Sequence, residues 1–257
     1  MSLVRSLQNL LPKKFWRTER LRRNLLHQSN LTVLTGPFVG MKYIRDSVGS
    51  ALLPKILGTY ELELHEVIER LIAARPATVL NIGAAEGYYA VGLARRLPET
   101  TISCWETSQM GRQLLAQLLR EISIPEERVS IQGLCSLSEL RDALVSVDAT
   151  ETCLLLVDIE RSEVLLLDPA ILPELFSCHI LVEIHEFAVT GAEKLLAKRF
   201  CQTQEIERFE AKPRVFADWP ETALNLSRPG SKGTAIAVTC EERPPGMSWM
   251  YLKPLSK

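Results

Sequence analysis

Short apolar runs alternate with helical repeats along the chain between residues 61 and 200. Five runs predict buried strands, because they are short, apolar and bounded by turn residues: "TVLNIG", "TISCWE", "RVSIQG", "CLLLVDI" and "HILVEIHEF". Elsewhere apolar residues recur every three or four positions and predict helices at 61–75, 91–97, 110–122, 137–145, 163–172 and 192–200. Unbroken apolar strands that alternate with helices favour an α/β fold, with a mostly parallel sheet covered by helices on both faces.

The C-terminal part of the chain adds two further predicted strands, "TQEIERFE" and "GTAIAVTC". No helical pattern separates them, so we expect an antiparallel pair at one edge of a seven-stranded sheet. The connection between them, residues 211–232, is long and rich in proline, and such connections are typically lids or disordered. Residues 31–60 form an irregular lead-in. We therefore expect one domain at 58–257, preceded at 1–57 by a helical N-terminal arm and the lead-in.

The net charge of the chain is −1, which gives no overall reason to expect nucleic acid as a partner. Residues 1–30 nevertheless hold seven basic residues against one acid, Glu19. The basic residues are Arg5, Lys13, Lys14, Arg17, Arg20, Arg22 and Arg23, and leucines and aromatics recur among them at roughly helical spacing. We expect this arm to pack on its own domain or on a second subunit of a homo-oligomer; the alternative is peripheral contact with a membrane surface or an anionic partner.

Neither a secretory signal nor a membrane-spanning segment is evident, since no apolar core of about 7–15 residues follows the first basic residues. The six cysteines are scattered and mostly lie in or beside apolar runs: Cys104, Cys135, Cys153, Cys178, Cys201 and Cys240. Such cysteines are typical of reduced core residues and not of a disulfide framework or a zinc site, so we expect a cytoplasmic protein.

The turn "NIGAAEGYY" joins the first predicted strand to a helix, and parallel sheets bind ligands at the carboxyl ends of their strands. Gly83 and Gly87 allow a positive φ or a close backbone approach. A dinucleotide turn would need glycines where this chain has Ala85 and Tyr88, and Glu86 would place a carboxylate near the pyrophosphate. The turn instead suits a ligand without phosphates and with a positive centre, such as S-adenosylmethionine.

Glu106 is a second residue that indicates a nucleoside-type ligand such as S-adenosylmethionine. It ends the strand "TISCWE", 23 residues after Gly83. An acid at the end of the second strand, about 20 residues after the first glycine, is placed to accept hydrogen bonds from ribose hydroxyls. The turn and the acid together favour a ribose-containing ligand.

Three segments resemble a known family in their order and spacing. "VLNIGAAEGYYAVGLA" resembles the first motif of class I S-adenosylmethionine-dependent methyltransferases, most closely the FkbM-type branch, and "LLLVDIERSEVLLL" and "ILVEIHEF" resemble that branch's later motifs. The resemblance covers about residues 58–187 and implies the Rossmann-like class I methyltransferase fold with S-adenosylmethionine as cofactor. By resemblance, Gly83, Ala84, Ala85 and Gly87 line the methionine part, Glu106 holds the ribose, Leu134 or Cys135 borders the adenine, and Tyr60 and Glu61 belong to a segment that closes over the cofactor.

Two departures from the family pattern affect the predicted site. Asn81 replaces the usual aspartate at the strand end, so it keeps a polar amide for the turn or the ligand's ammonium but carries no charge. Arg161 and Ser162 stand where the family has a glycine-containing pair, which puts the local backbone geometry and the substrate fit in question.

Ionisable residues also end the fourth and fifth predicted strands: Asp158, Glu160 and Glu163, then Glu183, His185 and Glu186. Buried charge is costly unless it is paired, so this group is unlike a plain core. His185 is a candidate general base for a hydroxyl, with Asp158 or Glu160 in its place or orienting it. Alternatively, Asp158, Glu183 and His185 ligate a divalent cation, or a neighbouring carboxylate simply satisfies the histidine.

The acceptor is the least determined part of the prediction. Aromatic and basic side chains occur at 211–232 and in the tail, and they suit a sugar or an anionic metabolite: Lys212, Arg214, Trp219, Arg228, Trp249 and Tyr251. For Trp249 we favour simple packing. We expect O-methylation of a hydroxyl on a sugar, glycan or natural-product-like molecule; the alternatives are a non-catalytic S-adenosylmethionine- or nucleoside-binding module with a basic recruiting arm, and, less favoured, an NAD-dependent oxidoreductase.

Overall fold

The computed structural model describes residues 17–148, 150–226, 231–241, 243 and 246–255. The chain divides into two compact units, each assembled from three segments. The first unit comprises Met1–Arg45, Ser50–Leu62 and Pro213–Glu242, and the second comprises Asp46–Gly49, Glu63–Lys212 and Arg243–Lys257. Within the described residues, no helix is both long enough and apolar enough to cross a bilayer.

Seven strands form one sheet in the second unit: β1 (Thr78–Ile82), β2 (Thr101–Trp105), β3 (Val129–Gln132), β4 (Cys153–Val157), β5 (His179–His185), β6 (Gln204–Glu210) and β7 (Met247–Pro254). Their order is β3-β2-β1-β4-β5-β7-β6. Strands β1 to β5 pair in parallel, whereas β7 is antiparallel to both β5 and β6. The predicted Rossmann-like, mostly parallel seven-stranded sheet is confirmed. The antiparallel strand lies second from the edge, because β6 is the outermost strand.

In chain order the helices are α1 (Arg17–Gln28), α2 (Leu52–Leu57), α3 (His65–Ala73), α4 (Tyr88–Arg96), α5 (Gln109–Glu121), α6 (Leu137–Val145), α7 (Glu163–Leu166), α8 (Ala192–Phe200), α9 (Glu221–Leu226) and α10 (Lys232–Thr239). Helices α3 to α8 lie in the second unit and the others in the first. All five residues of β4 are buried, although successive side chains point to opposite faces, so both faces of the sheet are covered there. The α/β alternation predicted from residue 61 to residue 200 is confirmed.

One predicted strand was wrong. "GTAIAVTC" forms α10, whose first turn is capped by the Ser231 hydroxyl accepting from the Thr234 amide at 3.2 Å. Its β-branched composition favoured a strand, but β-propensity depends on packing and a local cap favours the helix. The last strand is instead β7 in "MSWMYLKP", which the tail prediction missed.

The predicted helix at 163–172 was also too long. Only one turn forms, α7 at Glu163–Leu166. Pro169 cannot donate a backbone hydrogen bond and disfavours a helical conformation at Asp168, so the helix ends before it. The chain continues through a short 3-10 helix at Pro173–Ser177.

The first unit has more regular structure than the lead-in and loop predicted from sequence. Residues 31–60 contain α2 and an antiparallel bridge between Thr32 and Lys42. The segment 211–232 contains a 3-10 helix at Phe216–Asp218 and then α9. An ion pair between Arg214 and Glu241, 2.8 Å apart, is almost fully buried in this unit.

The helical arm is described only in part. Helix α1 buries Leu21, Leu25 and Leu26 on one face, as an amphipathic arm requires. Arg5, Lys13 and Lys14 of the predicted arm lie outside the described residues, as does Arg228 of the predicted acceptor side. The arm's role in membrane contact or oligomerisation remains a prediction.

Candidate active site

The register of the parallel strands brings the predicted site residues to one edge of the sheet. Ile82 at the end of β1 pairs with Trp105 of β2 and with Val157 of β4, and Val157 pairs with Val182 of β5. The residues that come next are Gly83, Glu106, Asp158 and Glu183, so they lie at the same level of neighbouring strands. The strand order changes direction between β1 and β4, which is where parallel sheets bind ligands.

A cleft of about 520 Å³ opens at this edge, within the range of small-molecule sites. It is lined by Ile82, Gly83, Trp105, Glu106, Thr107, Gly133, Leu134, Cys135, Leu137, Asp158, Ile159, Glu160, Ser162, Leu165 and Leu166. Of the predicted residues, Gly83, Glu106, Leu134, Cys135, Asp158 and Glu160 therefore meet around one cavity. Its lining is mixed, because Leu134 and Leu165 expose apolar surface while Glu106, Asp158 and Glu160 supply carboxyl groups.

The two glycines of the turn are required by the protein's own packing. Gly83 has φ +85°, and a Cβ there would lie 1.6 Å from the Asp158 carbonyl oxygen. Gly87 has φ +93°, and a Cβ there would lie 2.2 Å from Leu115 Cδ1. That these glycines line a bound ligand stays a prediction, and the fold by itself has no room for a Cβ at either position.

Gly133 differs from both, since a Cβ there would meet no protein atom within 4 Å. It lines the cleft just after β3, and the sequence prediction did not name it. It directly precedes Leu134 and Cys135, which were predicted to border the adenine. Its position at the end of the third predicted strand could therefore have marked it as a residue of the site. Burial, with the charge of Glu139, raises the pKa of the Cys135 thiol to about 12, which keeps this wall uncharged at neutral pH.

Glu86, which follows Ala85 in the glycine turn, is bound to another segment of the fold. It is fully buried, and its carboxylate accepts from the Ser47 hydroxyl at 2.6 Å and from the Val48 amide at 3.1 Å. It therefore anchors segment Asp46–Gly49 to the glycine turn. Because Glu86 is engaged in this way, its charge is a weaker reason to exclude a pyrophosphate. The glycine spacing still disfavours a dinucleotide, because Ala85 and Tyr88 stand where a dinucleotide turn has glycines.

Glu106 is held by backbone donors on both sides. One oxygen accepts from the Ala85 amide at 2.7 Å and the other from the Ser108 amide at 2.6 Å. A carboxylate offers about four acceptor sites, so about two remain for a ligand. Ala85 itself has φ +47°, a conformation that aims its amide at this carboxylate. Gly111 is also needed here, because a Cβ on it would lie 2.8 Å from Glu106 Cγ.

Asn81 is buried in β1, on the face opposite Leu80 and Ile82. The residue is only 5% exposed, and it is not among the described residues whose fully buried polar atoms lack a hydrogen-bond partner. Its amide is therefore a polar group in β1, two positions before Gly83. Ala84 is buried beside the turn and, like Asn81, does not line the cleft described above.

His185 lies behind the cleft wall, since its side chain is 2% exposed while Asp158 is 38% exposed. Its Nδ1 is hydrogen-bonded to the Glu163 carboxylate. Its Nε2 lies 3.8 Å from Asp158 Oδ1 and 3.7 Å from Glu183 Oε2. Burial lowers the pKa of His185, but the hydrogen bond and charge of Glu163, with the charges of Asp158 and Glu160, outweigh it and raise the pKa above its usual value.

Arg243 completes this cluster and was not found from sequence. Its Nη1 donates to Glu183 Oε1 at 2.6 Å, and the pair is largely buried. Arg243 lies only four residues before β7, so it reaches β5 because β7 pairs with β5. No sequence pattern marks it, since it sits in a proline-rich loop before an unpredicted strand.

The loop after β4 adopts glycine-like conformations without glycine. Glu160 has φ +50° and Arg161 has φ +97°. By the resemblance drawn from the sequence, a glycine would stand in the pair Arg161 and Ser162, and a positive φ at a residue other than glycine costs about 1–3 kcal/mol of strain. Such strain concentrates at ligand sites, and here it presents Asp158 and Glu160 to the cleft.

Other predicted residues are placed elsewhere. Tyr60 and Glu61 belong to the first unit, where the Glu61 amide donates to the Glu241 carboxylate and Lys55 lies 4.9 Å above the Tyr60 ring. Their role in closing over a cofactor remains a prediction. Trp249 is buried in β7 and packs edge-on against Tyr89, 6.4 Å between centroids, which agrees with the packing interpretation.

The remaining acceptor-side residues are also placed. Tyr251 is buried in β7 and contacts His179 at 2.6 Å, Trp219 is buried in the first unit, and Lys212 is exposed. None of them lines the described cleft. A role for them in binding an acceptor remains a prediction.

No family model and no curated protein matches this chain. Solved structures similar to it include a candidate O-methyltransferase from Klebsiella pneumoniae, with 12% identity, a TM-score of 0.48 and coverage of 98% of this chain and 96% of that one. An rRNA methylase from Streptococcus thermophilus has 10% identity, a TM-score of 0.48 and coverage of 75% and 97%. An S-adenosylmethionine-dependent O-methyltransferase from Thermotoga maritima has 15% identity, a TM-score of 0.42 and coverage of 75% and 65%. No function is transferred from likenesses at this level.

The glycines of the cleft give a testable contrast. Gly83→Ala should lower the free energy of unfolding by about 3–5 kcal/mol, because the new Cβ collides with backbone at a positive φ. Gly133→Ala should change it by no more than about 0.5 kcal/mol, because its Cβ meets open space. Urea unfolding of the ligand-free protein measures both. Equal losses in the two variants would contradict the packing role of Gly83.

The anchoring role of Glu86 is tested in the same assay. Glu86→Gln should lower the free energy of unfolding by about 1–3 kcal/mol, because buried hydrogen bonds to a charged acceptor are weakened. The control is Glu69→Gln, which removes a half-exposed carboxylate paired with Arg96 and should cost less than about 1 kcal/mol. A smaller effect at Glu86 than at Glu69 would show that the anchor is not needed.

Proposed function

We propose that this protein is an S-adenosylmethionine-dependent methyltransferase that methylates a hydroxyl group. The observation that carries the proposal is the single cleft joining Glu106, at the end of β2, to Asp158 and Glu160, at the end of β4. The first carboxylate suits a ribose, and the other two suit a hydroxyl acceptor. The resemblance of three sequence segments to class I methyltransferases supports the same function independently of any solved structure.

The residues of the cleft fit a sulfonium nucleoside. Glu106 keeps acceptor capacity for ribose hydroxyls, and Leu134, Leu137 and Leu165 provide an apolar wall for an aromatic base. The amide of Asn81 is a polar group near the turn for the methionine part. S-adenosylmethionine would supply an electrophilic methyl group on its sulfonium.

The chain's own contribution is to position the acceptor and receive its proton. Asp158 and Glu160 line the cleft after β4, so they are better placed than the buried His185 to accept a hydrogen bond from the acceptor hydroxyl. Holding the reactants aligned supplies much of the acceleration of an in-line displacement, and a base adds roughly 10²–10⁴-fold. His185 is buried beside Asp158, with its Nε2 3.8 Å from Asp158 Oδ1.

The lining of the cleft indicates a broad class of acceptor molecules. A hydroxyl on a sugar, glycan or natural-product-like molecule suits a cleft whose lining combines apolar side chains with carboxyl groups. A strongly anionic acceptor is disfavoured by the three carboxylates of the cleft. A non-catalytic module would bind a nucleoside through Glu106 and would not need the carboxylates of Asp158 and Glu160.

Calorimetric titration with S-adenosylmethionine, S-adenosylhomocysteine and NAD tests the cofactor. Both sulfur nucleosides should bind and NAD should not. Glu106→Gln should weaken S-adenosylhomocysteine by about 10–100-fold, because hydrogen bonds to a charged acceptor contribute about 1.5–3 kcal/mol.

The matched control is Glu121→Gln, an exposed acid at the end of α5, which should leave the affinity unchanged. Binding of NAD with no binding of either sulfur nucleoside would refute the proposal. Nucleoside binding that is equally affected by both substitutions would refute the role of Glu106.

A further inference from the structure

Three ligand-type atoms of the acidic cluster converge on one point. Asp158, Glu183 and His185 each offer one ligand atom, and these atoms all lie within 4.8 Å of one another. Two ligands on opposite sides of an ion with bonds of about 2.1–2.5 Å are about 4.2–5 Å apart. The three atoms can therefore share one divalent cation after small side-chain adjustments.

The imidazole of His185 is oriented as a metal ligand would be. Glu163 holds Nδ1 from behind, which places Nε2 toward Asp158 and Glu183. Nε2 makes no hydrogen bond within the described part of the chain, although the side chain is 2% exposed. Metal-bound histidines in proteins are commonly fixed in this way, by a carboxylate on the other ring nitrogen.

Glu183 is oriented with similar precision. Arg243 binds its Oε1 at 2.6 Å, which leaves Oε2 directed at the His185 ring. The side chain is 4% exposed, so its position is fixed by burial as well as by the arginine. A ligand set that is held before the ion arrives costs little ordering when the ion binds.

The side chains of the cluster suit a divalent cation. Among these side chains three carboxyl groups, of Asp158, Glu163 and Glu183, surround His185, and one guanidinium, of Arg243, pairs with Glu183. A cation binds the imidazole in its neutral form, and carboxylate and imidazole together are common ligands of divalent ions.

The site would also be open toward the cleft. Asp158 lines the cleft and is 38% exposed, whereas Glu183 and His185 are buried behind it. Three protein ligands leave positions of a six-coordinate ion for water or substrate oxygen. Those positions would face the same cavity as Glu106.

We propose that Asp158, Glu183 and His185 bind a divalent cation where Asp158 lines the cleft, with Glu163 as the positioning residue for His185. The mixed set of two carboxylates and one imidazole suits Mn²⁺, which accepts both oxygen and nitrogen ligands. Cation binding stands on these side chains alone. Its use in methyl transfer rests on the proposed function: a cation there would lower the pKa of a bound hydroxyl, whose proton passes to the Glu160 carboxylate as the O–CH₃ bond forms and the CH₃–S bond breaks with its electron pair kept by sulfur.

Mn²⁺ titration of the full chain, after dialysis against a chelator and without any nucleoside, tests the site. The electron paramagnetic resonance signal of free Mn²⁺ should fall with a stoichiometry of one ion per chain, at concentrations below about 1 mM. Asp158→Asn and Glu183→Gln should abolish this binding. Glu163→Gln should weaken it at least about tenfold, although Glu163 is not a ligand, because His185 loses its orientation.

The matched control is Glu160→Gln, an exposed carboxylate two residues from Asp158 and outside the ligand set. It should keep the Mn²⁺ affinity within about threefold, and thermal melting should show that each variant is folded. Absence of binding by the folded parent protein would overturn the proposal. So would an equal loss in Glu160→Gln and Asp158→Asn, which would indicate only diffuse attraction to acidic residues.

The same preparations separate this site from the proposed function. Mn²⁺ binding with the expected variant pattern, but no binding of S-adenosylhomocysteine, would retain the cation site and refute the methyltransferase. Binding of S-adenosylhomocysteine without binding of Mn²⁺ would refute the cation site and leave the proposed methyltransferase function standing.

Discussion

The hydrogen bond from the Asp158 amide to the Ile82 carbonyl, 2.9 Å long, holds the ends of β1 and β4 together. Gly83 makes this approach sterically feasible, because any Cβ there would overlap the Asp158 carbonyl. The same register aligns Glu106 on one side and Glu183 on the other. The cleft, its carboxylates and the cluster behind it all depend on this contact between two strands that are far apart in sequence.

Three carboxylates near the turn serve different purposes, and their environments decide which. Glu86 is fully buried and anchors Asp46–Gly49. Glu106 is fixed by two backbone amides but still borders the cleft, so it keeps capacity for a ligand. Asp158 lies at the junction of the cleft and the buried His185 cluster. A carboxylate's role here is determined by how many of its acceptor sites the fold already uses.

Much of the fold was predictable because its signals are local. The helices at Leu137–Val145 and Ala192–Phe200 follow clear apolar periodicity, and the five parallel strands are apolar runs. The last strand was not predictable in this way. Residues Trp249–Leu252 are all buried because β7 is inserted between β5 and β6, and a run buried on both faces lacks alternation. Pro169 did mark the true end of α7, but the apolar spacing beyond it suggested a longer helix.

The sequence by itself determined the α/β class, the glycine turn, the acid at the end of β2 and the ionisable residues at the ends of β4 and β5, because each depends on neighbours within a few positions. Only the tertiary structure decided which of these residues share a cavity, that Glu86 is an anchor, that the turn glycines contact protein, and that Arg243 joins Glu183. These facts depend on strand register and on contacts between distant segments. Neither leaves a periodic or compositional trace in the chain.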